Sequence, residues 1–185
     1  MGPERIREIN SLRILHWLID GSETTATEIA EHCDLSRTSV NAALANLHDL
    51  GWLTTLEAVT GTTLRIGTLP VQVAGNRHAE VHPTLPGPAN RAYLIDGRVL
   101  VTGDEHPVPP DRLSALVTPV DAPWLRAADL IRYVRALRPK LVVGVHDGLL
   151  NADGLAVARH VIESLRNEGA ARATILADGE AILAP

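Results

Sequence analysis

The sequence predicts an α/β protein with two domains, a helical domain over residues 1–66 and an α/β domain over residues 67–185. Up to about residue 60, apolar residues recur at every third or fourth position, which is the spacing of amphipathic helices. Beyond Gly67, short apolar runs alternate with helical segments, which is typical of a mixed, mostly parallel sheet. A length of 185 residues is sufficient for two small domains.

Three helices are predicted in the first domain. The first extends from about Ile6 to Ile19 and carries one apolar stripe. The residues of that stripe are Ile9, Leu12, Leu15 and Ile19. Thr25 and Glu28 form a capping box that opens a second helix. Ser36 caps a third helix, which Gly51 follows as a C-terminal cap. The apolar stripe of the third helix is Val40, Leu44, Leu47 and Leu50.

A hairpin is predicted to complete this domain. Residues 52–56 and 63–66 have the composition of two short strands around a turn at Thr60 and Gly61. Three helices and a hairpin form the plan of a winged helix-turn-helix. In that motif the third helix enters the major groove of double-stranded DNA with its N-terminal residues at the base edges. The candidate DNA-contacting residues are therefore Ser36, Arg37, Thr38, Ser39 and Asn41.

Four runs in this segment resemble the N-terminal winged helix of ROK-type sugar-responsive repressors and, more loosely, that of MarR-type regulators. These runs are residues 10–15, 27–30, 35–40 and 47–51. The resemblance implies a transcription regulator. Residues 1–60, however, carry four basic and nine acidic side chains, a net charge of −5, and so offer few groups to neutralise phosphates. A winged helix used for dimerisation or protein docking is the alternative.

In the second domain, Asp96-Gly97 between two apolar runs predicts a β-hairpin. Two further buried strands are predicted at 116–118 and 141–145, and a last one at 174–176. A helix opened by Pro123 and ending before Pro139 lies between the first two, and another runs from about residue 155 to 166. The apolar face of the first of these helices is Leu130, Val134 and Leu137.

Polar residues follow two of these strands directly, Asp104 after the hairpin and His146 after residues 141–145. The carboxyl ends of strands are where α/β sheets place ligands, and His and Asp suit zinc. A third polar run, residues 75–83, contains His78 and His82. Together with residues 90–97, 122–125 and 176–180, these runs resemble the C-terminal half of a metallo-β-lactamase-fold hydrolase.

The resemblance implies that His78, Asp104 and His146 correspond to metal ligands, with Asp104 bridging two ions and His82 as the alternative to His78. The first ligand cluster of that family, His-x-His-x-Asp-His, does not occur in this sequence. Each metal site would then keep about two protein ligands, where a catalytic zinc has three. We therefore expect no catalytic residues and no cofactor, with a zinc ion as the alternative.

Half of a two-sheet fold predicts an exposed apolar sheet face, because a partner sheet normally covers it. The residues expected on that face are Val99, Val101, Val142 and Val143. Since large apolar patches are rarely bare on a monomer, two chains are expected to pair through their sheets as a homodimer. Coverage by the winged helix is the alternative.

The composition excludes several classes of protein. The single cysteine, Cys33, excludes a disulfide framework. The apolar runs are too short to span a membrane, and Met1–Asn10 does not have the pattern of a secretory signal, which predicts a cytoplasmic protein. The function expected is a dimeric DNA-binding regulator whose degenerate, non-catalytic hydrolase-like domain serves assembly or senses a small-molecule effector. The alternatives are a metal-dependent hydrolase completed by a second chain and a protein-interaction adaptor.

Overall fold

The computed structural model of the chain describes residues 3–18, 26–53, 58–66, 68–85, 87–109, 112–177 and 179–185. The chain divides into two compact units, Met1–Glu57 and Ala58–Pro185. None of the helices in these described ranges is both long and apolar enough to cross a membrane.

The first unit contains the three predicted helices, α1 (Pro3–Leu18), α2 (Ala26–His32) and α3 (Arg37–Asp49). Ser36 is the N-cap of α3, as predicted, and its side chain accepts a hydrogen bond from the backbone N–H of Ser39. Gly51 follows the helix with a φ of +74°. The core of this unit consists of Ile14, Ile29, Cys33, Val40, Ala43 and Leu47. Thr25, the predicted start of the capping box, lies outside the described residues.

The buried face of α1 differs from the predicted stripe. Ile9 and Leu12 are 42% and 65% exposed, whereas Ile14 is fully buried. The reason lies in the contact with α3, where buried Ser11 accepts a hydrogen bond from the Asn46 side chain at 3.1 Å. Ile14 lies in the core cluster and Leu15 of the predicted stripe packs against it, whereas Ile19 lies outside the described residues. Helical spacing alone could not distinguish the two faces.

The second unit is built on one seven-stranded sheet with the strand order β1-β2-β3-β4-β5-β6-β7. Strands β1 to β4 pair antiparallel and β4 to β7 pair parallel, which confirms the predicted mixed sheet. The strands are β1 (Thr63–Ile66), β2 (Leu69–Ala74), β3 (Ala92–Ile95), β4 (Val99–Val101), β5 (Ala115–Pro119), β6 (Leu141–Val145) and β7 (Arg172–Ile175). Helix α4 (Ala127–Leu137) connects β5 to β6, and α5 (Ala152–Ser164), followed by the 3₁₀ turn Leu165–Asn167, connects β6 to β7.

Two predicted details of these elements are corrected. Strand β1 pairs with β2, with Thr63 opposite Gln72, and the predicted partner, 52–56, lies mostly outside the described residues. Pairing with the strand that follows closes a shorter loop and costs less chain entropy. It also places β1 in the sheet of the second unit.

Helix α4 begins at Ala127 and not at Pro123, because residues 122–125 form a turn closed by the Leu125 N–H and the Ala122 carbonyl (3.0 Å). Residues 54–57 lie outside the described part of the chain.

The predicted bare sheet face is also corrected. Val142 is fully buried in the cluster that joins the sheet to α4 and α5. Val143 is 9% exposed and belongs to a second cluster, to which Leu176 and Ile182 from the C-terminal segment contribute. Val99 and Val101 are half-buried. The expectation failed because residues that follow the last strand pack against this face of the sheet.

Candidate functional site

The first candidate site is the N-terminal part of α3. The chain enters α3 through a short turn in which Asp34 has a φ of +49°. The Ser36 hydroxyl accepts the Ser39 N–H at 3.1 Å and lies 2.9 Å from the Ser39 hydroxyl. This cap fixes the first turn of α3.

Four of the five predicted DNA-contacting residues are exposed there, and Ser39 is half-buried; the exposed ones are Ser36, Arg37, Thr38 and Asn41. The Arg37 guanidinium donates to the Thr27 hydroxyl at the start of α2. The structure thus gathers the five predicted residues at one end of α3, with the arginine held by α2.

The second candidate site is formed by residues that follow three strands of the sheet: His78 follows β2, Asp104 follows β4 and His146 follows β6. His78 Nε2 lies 3.6 Å from Asp104 Oδ2, and His146 Nε2 lies 3.9 Å from Asp104 Oδ1. The structure therefore brings together the three residues that the sequence analysis singled out. His82, the alternative to His78, is exposed, and its Nδ1 accepts the Thr84 N–H at 3.2 Å.

The loop that carries Asp104 is held by buried Asn90. The Asn90 side chain donates to the Thr102 carbonyl at 2.9 Å and accepts the backbone N–H of Asp104 at 2.9 Å. Between them, Gly103 has a φ of +59°, and a Cβ there would lie 2.3 Å from Asn90 Oδ1. Only glycine allows this close approach of the loop to Asn90.

The tautomer of His78 follows from its contacts. Its Nδ1 lies 2.7 Å from the Ala79 carbonyl, an oxygen that can only accept, so Nδ1 carries the proton. The other ring nitrogen, Nε2, faces the Asp104 carboxylate. A backbone carbonyl that orients the imidazole in this way is typical of metal-binding histidines.

The number of ligands does not fit a catalytic metal centre. Each carboxylate oxygen of Asp104 faces one histidine, and the two histidines face different oxygens. Within the described residues, no group of three or more His, Cys, Asp or Glu side chains is arranged to hold a metal ion. A catalytic zinc takes three protein ligands and a water molecule. We therefore derive no reaction step through a metal at Asp104.

An aromatic cluster adjoins this site. The His106 ring stacks on Tyr133 with centroids 4.3 Å apart and meets Trp124 edge-on at 5.2 Å. Burial lowers the pKa of His106, and the Asp129 carboxylate opposes that shift. Burial and then the Glu105 carboxylate raise the pKa of Tyr133, whose hydroxyl donates to the Pro107 carbonyl. His106 is thus favoured in its neutral form.

Three buried polar atoms here, Asp104 Oδ1, His106 Nε2 and Trp124 Nε1, have no hydrogen-bond partner among the described residues. The sequence analysis did not assign a site role to Asn90, His106, Trp124 or Tyr133. For His106 a signal was available, since it lies two positions after Asp104. Tyr133 gave none, because an aromatic residue on an apolar helix face is indistinguishable from ordinary core.

Comparison with known proteins gives a family match for the N-terminal part of the chain and one curated relative. Residues 8–61 match the MarR family. Protein Rv0786c of Mycobacterium tuberculosis is 30% identical over 102 residues, which cover 52% of this chain and 48% of that protein. The chain thus spans about half the length of this curated relative.

Solved structures are similar to the chain at low sequence identity. A variant of CmlA β-hydroxylase has a TM-score of 0.50 and 17% identity, covering 72% of this chain and 34% of that one. CmlA itself, a diiron β-hydroxylase from Streptomyces venezuelae, has a TM-score of 0.48 and 15% identity, covering 69% and 34%. A putative metal-dependent hydrolase from Parabacteroides distasonis has a TM-score of 0.47 and 17% identity, covering 76% and 69%.

Both expected resemblances are confirmed at this level. The family match confirms the MarR-type resemblance, and the similarity to the CmlA variant concerns the fold alone. Residues 8–61 are thus similar to the MarR family, and the fold of the chain is similar to that of the CmlA β-hydroxylase variant.

Proposed function

We propose that the protein is a homodimeric, cytoplasmic transcription regulator that binds double-stranded DNA through α3. In this proposal the second unit is a non-catalytic, hydrolase-like domain that serves assembly or senses a small-molecule effector. The observation that carries the proposal is the MarR-family match over residues 8–61, which includes α2 and α3 with the exposed N-terminal turn of α3.

The side chains of that turn suit the major groove. Arg37 can donate two hydrogen bonds to a guanine, and Asn41 can pair with an adenine. Ser39 and Ser36 can donate their hydroxyl hydrogens to phosphate oxygens, and Thr38 can reach either kind of group. The contact between Arg37 and Thr27 supports this role, because an arginine held in place loses less conformational entropy on binding.

Charge and exposed apolar side chains support a dimer. Residues 1–60 carry a net charge of −5, so one copy has few cations for the DNA backbone. Two copies on a palindromic site would double the contacts. On α1, Ile6, Ile9 and Leu12 follow one another at every third position and are all exposed in the single chain. An exposed apolar stripe of this kind is typical of a protein–protein interface.

The test begins with selection of bound sequences from a random duplex pool, followed by fluorescence anisotropy on the selected site. Arg37→Ala and Asn41→Ala should each weaken binding by about 1–3 kcal/mol and relax the preference at one base pair. Arg159→Ala, a matched loss of an exposed arginine on α5, should leave affinity unchanged. If the unaltered protein binds no duplex at low salt, the regulator is excluded and a docking role for the winged helix is favoured.

A metal-dependent hydrolase is the second candidate, favoured by the convergence of His78, Asp104 and His146. A second chain would have to supply the missing ligands. Metal analysis of the purified, dialysed protein separates the two functions. About two tightly bound zinc ions per chain would contradict a non-catalytic domain, since each ion needs a fuller ligand set.

A further inference from the structure

A cavity of about 470 Å³ lies at the β7 edge of the sheet in the second unit, and neither Asp104 nor its neighbours line it. Its polar lining comes from Arg166 in the 3₁₀ turn, Arg172 and Thr174 on β7, and Glu180 in the C-terminal segment. Its apolar lining is Leu141, Ala173, Leu176, Ala181 and Ile182. Sites for small molecules commonly have this size and combine an apolar wall with a few polar groups.

The charge of the lining favours an anion. The two arginines and the single glutamate leave a formal charge of +1 on the cavity wall. Within the described ranges, neither Arg166 nor Arg172 forms an ion pair, whereas Arg126, Arg132 and Arg135 each pair with a carboxylate. Two guanidinium groups that face one cavity repel each other, and a bound carboxylate would convert that repulsion into charge-assisted hydrogen bonds.

The position of Glu180 is compatible with an anionic ligand. Its Oε2 accepts the backbone N–H of Ala177 at 2.8 Å, and its own N–H donates to the Ala177 carbonyl at 3.0 Å. The carboxylate therefore serves the turn of the C-terminal segment. Among the residues that the structure describes, it forms no ion pair with either arginine, so both guanidinium groups can bind a ligand.

The apolar wall narrows the class of ligand. Leu176 and Ile182 pack with buried Leu141 on the sheet, so one side of the cavity is an aliphatic surface continuous with a core cluster. A bare inorganic anion would leave this surface without a partner. We propose that the cavity binds an aliphatic monocarboxylate of about six to ten carbons, with the carboxylate between Arg166 and Arg172 and the hydrocarbon against Leu176 and Ile182.

The experiment is isothermal titration of the full chain, without DNA, with 2-propylpentanoate and with its neutral amide. Saturable binding of the carboxylate with a Kd of about 1 mM or lower is expected, and none of the amide, since the amide lacks the charge. Arg172→Gln and Arg166→Gln should each weaken binding roughly tenfold or more. Arg65→Gln is the matched control, because Arg65 is an exposed arginine on the opposite edge strand, β1. This variant should bind the carboxylate as tightly as the unaltered chain.

Several results would overturn the inference. These are the absence of saturable carboxylate binding, equal binding of the amide, an equal loss in Arg65→Gln, or competition by inorganic phosphate as strong as by the carboxylate. The last result would indicate a simple anion site. An effector role for the cavity rests on the proposed function, but the binding does not. If the protein binds DNA but no carboxylate, only the inference about the cavity is overturned. If it binds the carboxylate but no DNA, only the proposed regulator function is overturned.

Discussion

Replacement of Gly103 by alanine should lower the free energy of unfolding of the second unit, for two reasons: backbone strain and a clash of the new Cβ with its neighbours. An alanine at this φ of +59° costs about 1–2 kcal/mol from backbone strain alone. The new Cβ would also lie 2.3 Å from Asn90 Oδ1 and 3.0 Å from the Arg91 carbonyl. Asn90 must then move and release the buried N–H of Asp104, which costs about a further 1–3 kcal/mol.

Gly97→Ala provides the matched control. Gly97 has a φ of +64°, but a Cβ there meets no atom within 4 Å, so this substitution includes the strain without the clash. Both variants lose the same flexibility of glycine in the unfolded chain, so that effect cancels in the comparison. We expect Gly103→Ala to lower the free energy of unfolding by about 1–3 kcal/mol more than Gly97→Ala does.

Urea unfolding followed by fluorescence measures this difference. With Trp17 and Trp52 both replaced by phenylalanine, the remaining tryptophan, Trp124, reports on the second unit. In an Asn90→Ala background most of the extra cost of Gly103→Ala should vanish, because the clashing atom is absent. The reasoning is refuted if the two glycine variants agree within about 0.5 kcal/mol, which is the uncertainty of such comparisons.

Three further predictions concern the cap of α3 and two titrating groups. Ser36→Ala should lower the stability of the first unit by about 1 kcal/mol, and Ser36→Gly by only a few tenths of that amount. The urea midpoint followed by Trp17 fluorescence measures both losses. Equal losses in the two variants would contradict a capping role for Ser36. The hydrogen bond from Arg126 holds the pKa of Asp129 below its usual 3.8. The resulting stabilisation of the folded state is present above pH 3.8 and is lost as the pH falls through the lowered pKa of Asp129. Carbon-13 NMR of the Asp129 carboxyl should therefore show a low pKa in the unaltered protein and a pKa closer to normal in Arg126→Gln. Burial lowers the pKa of His106 from 6.5, so the folded unit binds fewer protons than the unfolded chain. The free energy of unfolding should therefore fall as the pH drops below about 6.5, and it should fall less steeply in His106→Gln. An unchanged slope in His106→Gln would refute this assignment.

Local sequence signals predicted individual elements well. Ser36 caps α3 because a serine hydroxyl and the third following N–H are brought together by any helix that starts there. Asp96-Gly97 forms the β3–β4 hairpin because both residues adopt the positive φ angles that this turn needs. Leu130 and Val134 are buried on α4, as their spacing predicted. In each case the information lies within a few residues.

Features that depend on distant partners were predicted less well. The buried side of α1 was misjudged because Ser11 is satisfied by Asn46, which is 35 positions away. The pairing of β1 was missed because its partner, β2 (Leu69–Ala74), was not predicted as a strand.

The sequence by itself determined the helical first part and the mixed sheet, and its resemblance to a hydrolase singled out His78, Asp104 and His146. Tertiary structure decided that both histidines approach one carboxylate but face different oxygens of it, and that Arg166, Arg172 and Glu180 line one cavity. The physical reason is that periodicity and turn chemistry act over one or two turns of chain, whereas distances between residues tens of positions apart arise only when the strands and helices pack together.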